Sequence, residues 1–260
     1  MSRPPAVFAS LTHPQTPAEA GALWEPDVRD HFIDMKRFLK INAADNVAVA
    51  LADLAVEKAE AVAASLREKG GNARAYSLDV QAPESVQAMA EQVLADFGKV
   101  DILVNNAGVW LPSLVSETSE EQWLRMIDIN LNGTFRVTRA FLPSMLANGY
   151  GRILQLGSIA GEVGLPCYAG YSAAKAGVIM LTKVMAMELA KKNITVNCVS
   201  PGMIGDDIKS TPYTWIGRTG LGEEVADLLF FLAGDDASFI TGVDYTIDGG
   251  RILGPHGNDL

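Results

Sequence analysis

Tyr171 and Lys175 stand four residues apart in the run Gly-Tyr-Ser-Ala-Ala-Lys-Ala-Gly. On a helix that spacing puts both side chains on one face, about 5–6 Å apart at Cβ. A lysine ammonium so placed favours the phenolate over the phenol. Tyrosine titrates near pH ~10 on its own, so it needs such help to exchange protons near neutrality. Tyr-x-x-x-Lys alone is also common on solvated helix faces, and it is the company it keeps that points to chemistry. Ser158 lies thirteen residues upstream of Tyr171, closing the apolar run Arg-Ile-Leu-Gln-Leu-Gly-Ser. Asn130 sits in Asp-Ile-Asn-Leu-Asn-Gly, and Asn105-Asn106-Ala107-Gly108 follows the strand-like Asp101-Ile-Leu-Val. Tyr168 is a decoy, because the residue four positions on is Ser172 and not a cation.

These residues need a frame to bring them together. From Val47 onward short apolar runs alternate with longer segments of helical period. Strands are expected over 47–52, 73–78, 102–104, 152–156, 194–199 and 244–248. Helices are expected over 56–69, 83–97, 120–140, 171–191 and 223–233. Such alternation predicts a three-layer Rossmann-type α/β fold, a doubly wound parallel sheet with helices on both faces. Ligands bind such sheets beyond the carboxyl ends of the strands. Asp53, Asp79, Asn105, Ser158 and Pro201 all fall at those ends. The helix from Tyr171 is apolar nearly all round, which predicts one face on the sheet and another on a second subunit.

This ordered set resembles the short-chain dehydrogenase/reductase family over residues 46–250. Leu78-Asp79-Val80, Pro201-Gly202, Phe239-Ile-Thr-Gly and Asp248-Gly249-Gly250 extend the match. The resemblance implies hydride transfer between a nicotinamide and a secondary alcohol or ketone. Its implied proton-handling group is Asn130, Ser158, Tyr171 and Lys175. Tyr171 passes the proton, Ser158 binds the substrate oxygen, Lys175 holds the nicotinamide ribose and lowers the tyrosine pKa, and Asn130 holds a water linking the lysine to solvent. Implied cofactor contacts are Asp53, Asp79, Val80, Asn105, Ala107, Gly108, Tyr171, Lys175, Pro201, Gly202 and Ile204. Asp53, as a carboxylate beside the adenosine ribose, would repel a 2′-phosphate, so NAD is expected over NADP. The resemblance also implies homodimers or homotetramers.

Two stretches depart from the family pattern. No glycine-rich phosphate loop precedes Asp53. Residues 12–26 carry one glycine, three prolines and two glutamates where backbone N–H groups should meet a pyrophosphate. A strand near residues 6–11 and a helix carrying Val28, Phe32, Met35 and Leu39 would still allow a strand-loop-helix. Residues 1–45 therefore form an atypical segment ahead of a family-like domain at 46–260, within one structural domain. Either cofactor binding is remade and weak, or this segment does not descend from the family. The second departure is the short lid between Pro201-Gly202 and Gly217-Arg218, which predicts an open pocket with Trp110, Tyr213 and Trp215 near its walls.

Bulk properties narrow the field. A net charge of −10 over 260 residues argues against a nucleic-acid or anionic-membrane surface. No apolar run reaches the ~18 residues of a membrane span. Cys167 and Cys198 make neither a disulfide framework nor a metal cluster, and His13, His31 and His256 lack ligand spacing. The expectation is a cytoplasmic enzyme without a metal, acting on a small carbonyl or alcohol. The altered N-terminal segment motivates two alternatives: a non-redox lyase, isomerase or dehalogenase-like enzyme, or an inactive partner subunit.

Overall fold

The computed structural model describes residues 6–9, 48–53 and 55–254, with residues 6–9 and 48–53 known by their backbone. Its main sheet has seven strands, all parallel, in the order β3-β2-β1-β4-β5-β6-β9. In chain order these are β1 (Ala6–Ala9), β2 (Ala48–Asp53), β3 (Asn72–Ser77), β4 (Ile102–Asn105), β5 (Gly151–Leu156), β6 (Ile194–Pro201) and β9 (Asp244–Ile247). Two short strands, β7 (Ile204–Gly205) and β8 (Gly220–Leu221), pair apart from it. Residues 6–9 thus lie at the centre of the sheet, against β2 on one side and β4 on the other. The loop at 12–26 and the helix expected around Val28 to Leu39 fall outside the described residues.

Helices α1 (Val56–Glu68) and α6 (Gly222–Ala233) cover one face. Their Ala63, Leu66, Val225 and Leu229 pack on Val104, Leu154 and Val199. Helices α2 (Pro83–Phe97), α4 (Thr134–Asn148) and α5 (Ala169–Leu189) cover the other, where Val86, Met89, Phe141, Met145 and Met185 meet Leu103, Ile153 and Val196. β5 and β6 are buried almost along their whole length, as parallel strands sandwiched between helices must be.

Local signals set the ends. Pro83 opens α2, where its missing N–H costs nothing, and Gly98 closes it at φ 79°. Ser119 and Gln122 form a reciprocal capping box at the start of α3 (Glu120–Ile127). The single helix expected over 120–140 is interrupted. Between α3 and α4, residues Asp128–Gly133 widen into a π-helical turn. Such turns insert one residue and are frequent at functional sites. Gly133 lets this turn lie against Val80, since a Cβ there would fall 2.7 Å from Val80 Cγ2.

Candidate active site

Strand order reverses between β1 and β4, and ligands of open α/β sheets bind at such a switch point. β4 ends at Asn105, β5 runs into Ser158, and α5 carries Tyr171 and Lys175 across the gap.

Lys175 is buried and donates to the carbonyl oxygen of Leu156 at 2.7 Å. That anchors the helix to the last residue of β5. Burial pulls the lysine pKa down from its usual 10.5 to about 8. Its Nζ lies 5.6 Å from the centre of the Tyr171 ring. Burial also dominates Tyr171, pushing it up to about 12, while a hydrogen bond from Ser158 acts in the opposite sense. The expectation that Lys175 lowers the Tyr171 pKa is therefore not met in this structure. Desolvation of the phenolate, with Tyr168 acting in the same sense, outweighs the Ser158 hydrogen bond, and the Lys175 proton is directed at Leu156. Tyr171 is a protonated phenol here, poised as a donor.

Ser158 is buried, and its Oγ accepts from the Ala160 N–H at 3.1 Å, which fixes the turn after β5. Tyr168 packs edge-on against Tyr171 at 6.1 Å and is itself stacked on Trp110 at 5.0 Å. Just ahead of it Cys167 adopts φ 67°, a left-handed conformation uncommon for a side-chain-bearing residue. Its carbonyl receives the Ser113 N–H at 3.1 Å, which ties the loop after β4 to the start of α5.

Asn130 is fully buried in the π-helical turn. Its amide nitrogen donates to Val109 O at 2.9 Å and Met126 O at 2.8 Å, and its Oδ1 accepts from Val109 N at 3.1 Å. The side chain clamps the loop after β4 by both polar groups of one residue. Beside it Gly108 has no room for a side chain: a Cβ would sit 2.8 Å from Asn130 Oδ1 and 3.6 Å from Lys175 Nζ.

The other expected cofactor contacts are distributed along the same edge. Asp53 closes β2 with its backbone opposite Ser77. Asp79 lies just beyond β3, and its carboxylate accepts from Gln81 N at 2.9 Å, holding its own turn. Val80 is buried beneath Gly133. Asn105 points its amide inward, donating to Thr138 Oγ1 at 2.9 Å, so its side chain braces β4 against α4. Ala107 is buried beside it. Pro201 and Gly202 end β6 region contacts, with Gly202 N donating to Ile247 O at 3.0 Å, and Ile204 pairs with Gly220. Gly202 cannot carry a side chain, because a Cβ would lie 2.5 Å from that of Asp248.

The segment expected to form the lid is tied down at its end. Arg218 grips Glu224 with two hydrogen bonds, of 2.9 and 2.7 Å, and Glu224 also accepts from the Leu221 N–H at 2.8 Å. The Arg218 guanidinium holds the Glu224 carboxyl at about 2. Trp215 packs over Gly250, and Tyr213 lines a cavity of about 240 Å³ with Ile159, Val163, Leu165, Arg251 and Ile252. Sequence reasoning missed three parts of this site: the Leu156 carbonyl that holds the lysine, Val109 as the partner of Asn130, and Arg251. Only the last has a local signal. Asp248-Gly249-Gly250 marks a tight turn that must place the next residue.

Among the described residues no helix is long and apolar enough to cross a membrane. A family model described as enoyl-(acyl carrier protein) reductase matches residues 40–251. The 3-oxoacyl-[acyl-carrier-protein] reductase FabG of Staphylococcus aureus is 41% identical over 218 residues, covering 80% of this chain and 88% of that protein. The enzyme of the same name from Escherichia coli K12 is 38% identical over 194 residues, 71% of this chain and 80% of its own. Among solved structures, the crystal structure of gox2181 superposes with a TM-score of 0.81 at 28% identity, over 97% of both chains.

Proposed function

The chain belongs to the short-chain dehydrogenase/reductase family, and we propose that it interconverts a ketone and a secondary alcohol using NAD. Membership makes it an NAD(P)-dependent oxidoreductase of ketones and CH–OH groups. The observation that carries the finer reading is the convergence of Ser158, Tyr171 and Lys175 at the sheet's switch point, with Lys175 anchored on Leu156 O at 2.7 Å.

The edge of the sheet fits a dinucleotide. A Cβ on Gly108 would meet Asn130 Oδ1 at 2.8 Å, so the loop after β4 can lie against Asn130 and Lys175 only as bare backbone. Asp53, Asp79, Ala107, Gly108, Lys175, Pro201, Gly202 and Ile204 are the residues that would hold it. When bound, the nicotinamide supplies the hydride donor or acceptor. Ser158 hydrogen-bonds the substrate oxygen, and Tyr171 gives that oxygen its proton during reduction and takes it back during oxidation. Lys175 places positive charge beside the phenol as the proton leaves. Asn130 is a positioning residue, holding Val109 and with it the loop that carries Gly108. Asp53 supports NAD over NADP through repulsion of a 2′-phosphate.

The names of the relatives support an oxo group on an acyl chain as the substrate class. Two hydroxyls converging on one oxygen suit a carbonyl better than a carbon–carbon double bond. Free Cys167 and Cys198 suit a reducing cytoplasm. The outer face of α5, with Met180 58% and Met187 76% exposed, suits a homodimer or homotetramer. The non-redox and partner-subunit readings rested on residues 1–45, which lie largely outside the described residues.

The test is the absorbance of NADH and NADPH against a panel of ketones and 3-oxoacyl thioesters, with Tyr171→Phe as control. The expected result is turnover in the parent chain and a loss of at least about 10²-fold in the variant with unchanged circular dichroism. Undiminished turnover by Tyr171→Phe, or none by the parent, sinks the reading.

A further inference from the structure

Arg251 enters the cavity beside the catalytic serine from the far end of the chain. Asp248 places it: the carboxylate accepts from Gly250 N and Ile252 N, both at 2.8 Å, and caps the single turn Arg251–Leu253. Gly249 and Gly250 reach the required backbone with φ of 63° and 81°. The guanidinium stands 6.0 Å from the centre of the Tyr213 ring. Among the described residues no carboxylate pairs with it. Apart from Arg251 and Tyr213 the cavity is lined by the apolar residues Ile159, Val163, Leu165 and Ile252. Its volume of about 240 Å³ equals roughly eight waters at about 30 Å³ each.

The cavity adjoins the chemistry. Ile159 directly follows Ser158, and the charge of Arg251 is felt at Tyr168, which packs on Tyr171. The cavity wall at Ile159 is one residue from Ser158, so a carbonyl held by Ser158 and Tyr171 would have this cavity beside it. A guanidinium in an otherwise apolar pocket selects a planar anion with two oxygens, which it can bind bidentately.

We propose that Arg251 is a specificity-determining residue that binds the carboxylate of a short oxo acid, whose ketone is reduced at Ser158 and Tyr171. This deepens the ketone–alcohol reading above and rests on it. The ketone carbon gains a hydride from the reduced nicotinamide and its oxygen a proton from Tyr171, giving the hydroxy acid and the oxidised nicotinamide. The carboxylate is unchanged throughout. A thioester lacks that charge, so the free acid is the preferred substrate.

The test compares acetoacetate, 4-oxopentanoate and 5-oxohexanoate with their methyl esters, in the full chain and in Arg251→Met and Arg251→Lys. The expected parent preference for at least one acid over its ester is about 10–100-fold in kcat/KM. Arg251→Met should erase it through KM, and Arg251→Lys should restore part of it. No preference in the parent, or an undiminished one in Arg251→Met, overturns the assignment. Should the parent turn over neither acid nor ester, the ketone–alcohol reading fails, and calorimetric titration with the same acids still decides the role of Arg251. Binding lost in Arg251→Met upholds it; absent or unchanged binding overturns it.

Discussion

The ammonium of Lys175 lies 5.6 Å from the centre of the Tyr171 ring yet gives its hydrogen bond to the carbonyl oxygen of Leu156, 2.7 Å away. The pair shares a helix face as its spacing requires, but the lysine is moored to the sheet. Burial dominates the titration of both groups.

Lys175 works against the stability of the fold. Its pKa falls from 10.5 to about 8 on folding. Below pH ~8 folded and unfolded chains both carry the proton, and the folded chain bears the whole cost of burying the charge. As pH rises from 8 toward 10.5 the folded chain loses the proton first, and the cost fades. Lys175→Met should therefore be more stable than the parent near pH 7. Linkage gives up to about 3 kcal/mol, less roughly 1.5–3 kcal/mol for the lost bond between the ammonium and Leu156 O. Urea melts at pH 7 and pH 10 check this, the advantage shrinking at the higher pH. A constant difference would refute it.

In the proposed mechanism Ser158→Ala removes a donor to the substrate oxygen, and with it the hydrogen bond that favours the Tyr171 phenolate. Loss of one such donor commonly lowers kcat by about 10²–10³-fold. The pH–rate profile should also move, its tyrosine limb shifting to higher pH. A fall in rate without that shift would mean that Ser158 touches only the substrate.

Gly108→Ala places a methyl 2.8 Å from Asn130 Oδ1 and 3.6 Å from Lys175 Nζ. The clamp on Val109 must give way. Overpacking of this kind costs about 1–3 kcal/mol, and both melting temperature and nicotinamide-dependent turnover should fall. Parent-like values in both would show that the loop relaxes freely.

Asp53 at the end of β2 sets the cofactor reading. Asp53→Ala should weaken NADH binding by about 10–100-fold, the worth of a hydrogen bond to a charged group. NADPH should gain relative to NADH. Fluorescence titration with both cofactors measures the ratio, and an unchanged ratio would place the ribose elsewhere.

Much of this was legible in the chain. Strands and helices from residue 47 onward follow apolar periodicity closely, since β5 and β6 are continuous buried runs and α2 begins at Pro83 and ends at Gly98. Order, spacing and family resemblance pick out Asn130, Ser158, Tyr171 and Lys175 as the proposed quartet, and the structure brings Lys175 Nζ within 5.6 Å of the centre of the Tyr171 ring. The π-helical turn was not, because one inserted residue barely disturbs a helical pattern; it depends on Gly133 nesting against Val80. Nor was the inward turn of Asn105 toward Thr138, a tertiary contact between residues 33 apart. Arg251 carried no signal beyond its turn, because the cavity it enters is assembled from the β5–α5 connection, the lid and the C-terminal turn.

The place of β1 bears on how the chain is made. Ala6 pairs with Val49 on one side and with Ile102 on the other. On the ribosome, at about 5–20 residues per second, the second flank of β1 stays open for some 5–20 s while the intervening chain is synthesised. During that interval Ala6-Val7-Phe8-Ala9 is an unpaired apolar edge, able to recruit any other strand. Parallel pairings of such long sequence separation also form slowly. The strand that divides the sheet in two precedes both of its partners in the chain and is among the later ones to be enclosed on both flanks.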